Sequence, residues 1–209
     1  MTSYIDNYAE KSGALIEITG IIPSASVNFN AFITSFNDSL SSNWTEEQVY
    51  GRQDPIGTFQ NTSRKISLSF DLPASNLTDA KKNLTKVNEV KQFMYPAYHT
   101  NIAPPAGSVV TRNALSLAKS PLVRLKFANL IQNGSGKGLL GWIGSFSATP
   151  VIDMGMFSEG FKTKGMFFPK VYNVSLDFTP QHEYDLGWNS TEKTPVSDNF
   201  TKFPYDGGS

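Results

Sequence analysis

The chain has 209 residues, 18 basic against 18 acidic, two histidines and no cysteine. That length suits one substantial domain with a single core, and the lack of net charge argues against a surface that holds nucleic acid by bulk electrostatics. Without cysteine there are no disulfides, thiolate metal sites or cysteine nucleophiles, and a charged share of 17%, against a usual ~25%, leaves much of the surface to Ser, Thr and Asn or to partners.

Residues 1–12 read as a polar N-terminal arm with neither the basic start nor the apolar core of a signal peptide, so synthesis in a cytoplasm is expected. No apolar run approaches the roughly 20 residues that span a bilayer, so no membrane partner is expected. A single β-rich domain is expected over 13–188. Its first strand is G-A-L-I-E-I-T-G, Gly13 to Gly20, bounded by glycines. Val27 to Phe36 alternates and then turns apolar on both faces, which fits a strand better than a short helix.

The stretch from Trp44 to Asp71, W-T-E-E-Q-V-Y-G-R-Q-D-P-I-G-T-F-Q-N-T-S-R-K-I-S-L-S-F-D, carries the most information. Gly51, Asp54-Pro55 and Gly57 are turn formers too closely spaced for a helix, and Arg52, Gln53 and Asp54 set forked donors and acceptors side by side. From Arg64 onward Ile66, Leu68, Phe70 and Leu72 alternate with Ser67, Ser69 and Asp71, the period of a strand with one wet face. The polar segment therefore reads as a shaped contact loop. Trp44, Glu46, Tyr50, Arg52, Gln53, Asp54 and Arg64 are the candidate interface residues, with Arg52 expected in a forked pair to a carboxylate of this or an adjacent chain.

A helix is predicted near 78–94, with Leu77, Ala80, Leu84, Val87 and Met94 near one stripe and Pro96 ending it. A long Pro- and Gly-bearing loop follows near 99–118. Pro121 to Ile131 and Gly138 to Thr149 read as a hairpin whose second strand has three glycines, room for close backbone approach or strong bending. Tyr172 to Thr179 echoes Lys65 to Leu72, either through two related β halves or because half-buried strands converge on one pattern. Residues 189–209 form a polar C-terminal tail, expected, like the N-terminal arm, to be ordered only on neighbours.

Tests for chemistry fail one by one. The turn N-G-S-G-K-G, Asn133 to Gly138, lacks the first Gly and the Ser or Thr of a phosphate loop, and no helix follows it. His182, Glu183 and Asp185 sit together but have only His99 as a further imidazole and no H-E-x-x-H spacing, so no metal or other cofactor is expected. No G-x-S-x-G elbow presents a serine. Glu46, Glu47 and Asp54 could form a glycosidase pair, but their polar loop offers nothing to raise a carboxyl pKa, which favours structural ion pairing with Arg52 or Arg64. No enzymatic activity is expected.

The Trp44 to Asp71 stretch, followed in order by M-Y-P-A-Y at Met94, S-P-L-V-R-L-K-F-A-N-L-I at Ser120, G-L-L-G-W-I at Gly138 and F-F-P-K-V-Y-N-V-S-L-D-F at Phe167, resembles structural proteins of tailed bacteriophages from the region where tail tube meets baseplate. The resemblance covers most of the chain between Trp44 and Trp188. It implies a mainly β fold with one flanking helix (α+β), a tail-tube-like antiparallel sandwich or barrel, and a virion protein without catalysis. Copies of the chain would assemble as a ring around the tail axis beside other tail tube, sheath or baseplate proteins. The alternative class is a cell-wall or glycan-binding module that displays Trp44, Trp142 and Trp188; a lytic hydrolase is a more distant third.

Overall fold

The computed structural model describes residues 15–30, 32–99, 117–133, 135–158 and 165–205. The fold is mainly β with one long helix, and its centre is an antiparallel sheet of seven strands. In chain order the elements are β1 (Ile16–Gly20), β2 (Ser26–Phe29), β3 (Phe32–Glu47), β4 (Ile56–Pro73), α1 (Leu77–Phe93), β5 (Ala97–Tyr98), β6 (Leu117–Lys119), β7 (Val123–Phe127), β8 (Leu139–Pro150), β9 (Met156–Ser158), β10 (Phe167–Pro169) and β11 (Val171–Pro180). The large sheet runs β2-β1-β7-β8-β11-β4-β3, while β5 pairs with β6 and β9 with β10 as small separate ladders.

That order places β2 and β3 on opposite edges although only Asn30 and Ala31 separate them in sequence. Three peptide steps span at most about 11 Å, so the two edges must approach each other at this corner and the sheet must curl round on itself. The inner face is continuous as a result. Ile18, Phe29, Ile66, Phe70, Leu125 and Val174, from the five strands β1, β2, β4, β7 and β11, belong to one buried cluster, and Phe29 meets Phe70 with ring centroids 5.5 Å apart. A curled, mainly antiparallel sheet with one flanking helix agrees with the fold class that the resemblance implies.

The helix closes part of this core. Asn76 caps its start by accepting from the Asp79 amide at 2.9 Å. Ala80, Asn83, Val87, Val90 and Phe93 form the buried stripe, packed against β1 and β2, with Leu84 and Met94 half-covered beside it. The predicted stripe omitted Asn83, a polar residue that is buried because its amide donates to the Pro73 carbonyl at 3.0 Å.

The hairpin predicted around Asn133 is present as β7 and β8. Gly141 of β8 sits so close to β11 that a Cβ there would lie 2.2 Å from the Thr179 carbonyl oxygen, and the register against β11 slips at Gly144. These glycines therefore provide both the close approach and the bend. The echo between Lys65–Leu72 and Tyr172–Thr179 also has its place: β4 and β11 are neighbours, pairing Ile66 with Phe178 and Leu72 with Tyr172. Facing the same core, they share one pattern, and Asp177 of β11 accepts from Ser67 of β4 at 2.8 Å and Ser145 of β8 at 2.7 Å on the wet face.

Two expectations are corrected. The second strand of the Trp44–Asp71 stretch starts at Ile56, not at Arg64, and Trp44–Glu47 are themselves strand, so the turn shrinks to the residues between them. The tail also folds on its own chain up to Tyr205, through a 3-10 turn at Asp198–Lys202 and three aromatic residues described below. Its aromatic spacing, Phe200, Phe203 and Tyr205, supplies the anchors that its polar average hides. The N-terminal arm and most of the loop near 99–118 lie outside the described residues.

Candidate functional site

β4 has β11 as a neighbour only from Ile66 to Pro73, whereas its pairing with β3 runs on to Glu47 opposite Ile56. Beyond the Leu40–Arg64 pair the two strands therefore leave the sheet as a ribbon of roughly 20–25 Å, at about 3.3 Å per residue. Every described residue from Leu40 to Thr62 is exposed.

The ribbon is amphipathic. Strand alternation puts Leu40, Ser42, Trp44 and Glu46 on the face that, further back, lines the core, with Thr62 and Phe59 opposite. A bulge at Gln60, between the Asn43–Asn61 and Trp44–Phe59 pairs, keeps Phe59 on that same face. Trp44 and Phe59 meet edge to face at 5.3 Å, yet are 57% and 50% exposed. The other face is polar and braced by Asn43 donating to Asn61 at 2.6 Å.

At the tip, Val49 accepts from the Arg52 amide at 3.2 Å, and Gly51 between them has φ +82°, a left-handed value that favours glycine. Tyr50, Arg52, Gln53 and Asp54 all point into solvent. Six of the seven candidate residues, Trp44, Glu46, Tyr50, Arg52, Gln53 and Asp54, thus lie together on one projecting element. No carboxylate of this chain pairs with Arg52 among the described residues.

Arg64 differs. It is 4% exposed, at the ribbon's root, and its guanidinium forks onto Asp38 at 2.9 and 2.5 Å. The partner expected from sequence was Glu46, Glu47 or Asp54. Register decides otherwise: Asp38 lies opposite Ile66, diagonal to Arg64 on the core-side face, while the other three sit at the far end. The C-terminal segment covers the pair. Phe203 stacks over Arg64, Tyr205 hydrogen bonds to Asp38, and burial and that bond push the Tyr205 phenol up.

His182 packs on the same patch, edge-on to Phe203 at 5.4 Å and near Tyr184. Burial, with the nearby Arg64 charge, holds its pKa below the ordinary histidine value. Glu183 points elsewhere, forking onto Arg124 at 2.7 and 2.6 Å, which lowers the Glu183 pKa and raises that of Arg124. The 182–185 cluster is therefore split between two jobs, and among the described residues no group of three His, Asp or Glu is placed to hold a metal.

The Asn133–Gly138 turn spends its amides internally: Ser135 and Lys137 donate to the Asn133 side chain and Gly136 to the Asn133 carbonyl. Those N–H groups are not available to cradle a phosphate. Trp44 stands on β3 and Trp142 on β8, while Trp188 lies in the segment after β11, where Phe200 engages it edge-on at 5.5 Å. A concave surface of about 370 Å³ lies beside Trp142, lined by Phe93, Met94, Pro121, Leu122 and Ile143. Sequence reading missed it because its walls come from α1, β8 and the segment before β7. Among the described residues no helix is long and apolar enough to cross a membrane.

No protein-family model matches the chain, and no curated protein matches it. Among solved structures, its fold is similar to the crystal structure of the SPP1 Dit (gp 19.1) protein, described as a paradigm of the hub adsorption apparatus in phages that infect Gram-positive bacteria. The TM-score is 0.39 at 7% identity, over 79% of this chain and 49% of that one. This chain spans about half the length of that relative, and a similarity so loose leaves the functional reading to the geometry.

Proposed function

We propose that this chain is a non-enzymatic structural protein of a phage tail, assembling as a ring of copies where tail tube meets baseplate, with the β3–β4 ribbon as its main contact arm. The observation that carries the assembly role is the ribbon itself. A two-stranded hairpin is marginally stable alone in water, yet this one extends well past its sheet with Leu40, Trp44 and Phe59 uncovered on one face. Such a face gains stability when a neighbour completes the surface. Among the described residues the outer edge of β3 has no further strand beside it, a long row of backbone groups that a neighbour's strand could take up. The tail context rests on the resemblance of the ordered motifs from Trp44 to Phe178, and other tail tube, sheath or baseplate proteins are the expected neighbours.

Size-exclusion chromatography with light scattering, followed by negative-stain microscopy, tests this reading. Wild type should form rings, and Trp44→Ser with Phe59→Ser should remain folded by circular dichroism but monomeric. A wild type that stays monomeric at every concentration overturns the assembly role, as does a double variant that assembles equally well. Cleared zones on a cell-wall zymogram would overturn the absence of catalysis.

A further inference from the structure

The hairpin tip ends in exposed apolar and aromatic side chains on an acidic ribbon, and the surface beside Trp142 is concave and largely apolar. Tyr50 is fully exposed at the tip, next to exposed Val49. Such an aromatic end has the size and amphipathic character of an interface anchor. The ribbon from Trp44 to Phe59 carries three carboxylates, Glu46, Glu47 and Asp54, against the single guanidinium of Arg52. The concave surface is apolar inside, with Phe93, Met94, Pro121 and Trp142 among its walls, and its volume of about 370 Å³ admits an aromatic side chain. Exposed Lys91 precedes the lining residue Met94 by one helical turn and exposed Lys119 adjoins the lining residue Ser120, and no acidic residue occurs in the segments that build the cavity, 90–98, 117–123 and 139–145.

We propose that, within the ring assembly argued above and resting on that reading, the tip of one copy docks into this surface of the next copy, Tyr50 entering the apolar cavity and Glu46 and Glu47 facing Lys91 and Lys119. Charge selects this pairing over its main rival. Two acidic tips repel each other, so a two-fold tip-to-tip contact is disfavoured, whereas tip and cavity rim attract. Because tip and cavity are different surfaces, the contact is head to tail, and repetition closes a ring or extends a filament instead of stopping at a dimer.

The cysteine-free sequence makes the test direct. Gln53→Cys at the tip and Ser120→Cys at the rim are made in separate chains, one carrying a size tag, then mixed and treated with a short thiol-specific cross-linker. The mixture should give the tagged–untagged product, and neither variant alone should give a dimer. Tyr50→Ala and Trp142→Ala should each raise the concentration needed for half-assembly at least tenfold, and Lys91→Glu with Lys119→Glu should do the same. Rings that form without the mixed cross-link overturn this docking and leave the ring reading standing. Tip-to-tip cross-linking of Gln53→Cys alone also overturns it, and absence of any assembly overturns both.

Discussion

Phe203 lies over the guanidinium of Arg64, its ring centroid 5.1 Å from Cζ, and thereby ties the C-terminal segment to the root of the projecting ribbon. The same ring stacks with Phe200 at 5.9 Å, and Phe200 in turn meets Trp188. The tail from Trp188 to Tyr205 is thus held by a chain of aromatic contacts that ends on a buried ion pair.

Phe203→Ala should remove the cation–π contact and the cover over Arg64 and Asp38, at a cost of about 1–3 kcal/mol. Urea denaturation measures the loss. Trypsin should cut at Lys193 and Lys202 much faster in the variant than in wild type; equal rates would mean that the tail is not held by this ring.

Arg64→Met alone should be more damaging, since it leaves the Asp38 carboxylate, 2% exposed, without its countercharge. Breaking one side of a buried pair costs about 3–5 kcal/mol. Asp38→Leu combined with Arg64→Met should recover most of that loss, because two apolar side chains need no compensation. A double variant no more stable than Arg64→Met would show that the damage comes from lost packing, not from the stranded charge.

His182 gives a pH dependence with a definite sign. Burial against Phe203 and the charge of Arg64, partly offset by Asp38, hold its folded pKa below the ordinary value, so the folded state resists protonation of the ring more than the unfolded chain does. In the unfolded chain it titrates near about 6.5. Below that pH the unfolded chain takes up a proton that the folded chain resists, so stability falls as pH drops from about 6.5 toward the folded value, and is flat above. Urea midpoints at pH 7.5 and 5.5 should therefore differ less in His182→Gln than in wild type. An unchanged difference would place the dependence elsewhere.

Gly141→Ala should disturb the joint between β8 and β11, because its Cβ would meet the Thr179 carbonyl carbon's oxygen and the Phe178 ring well inside contact distance. Forcing an atom into packed backbone costs about 1–3 kcal/mol. Gly144→Ala, whose Cβ has 3.8 Å to the Asp177 oxygen, should be far milder. Thermal unfolding of the pair checks the contrast, and equal melting points would remove the close-approach argument.

Local chemistry made the strands and the helix legible. Alternation in Ile66–Leu72 and Tyr172–Phe178 specifies one buried face at period two, and the apolar stripe and Pro96 bracket α1 within a residue of its observed limits. The turn formers around Gly51 marked the turn that joins β3 to β4. The curl of the sheet was not legible, because it follows from strand order, which brings β2 and β3 to opposite edges only after distant segments have paired. Register, a long-range property, gave Arg64 to Asp38 and not to the carboxylates nearer in sequence to the tip. The tail was misjudged for a related reason: averaged over 189–209 it is polar, but three well-spaced rings suffice to dock a segment once Arg64 and His182 have been brought together by the fold. Sequence sets which face each residue shows; tertiary pairing decides what that face meets.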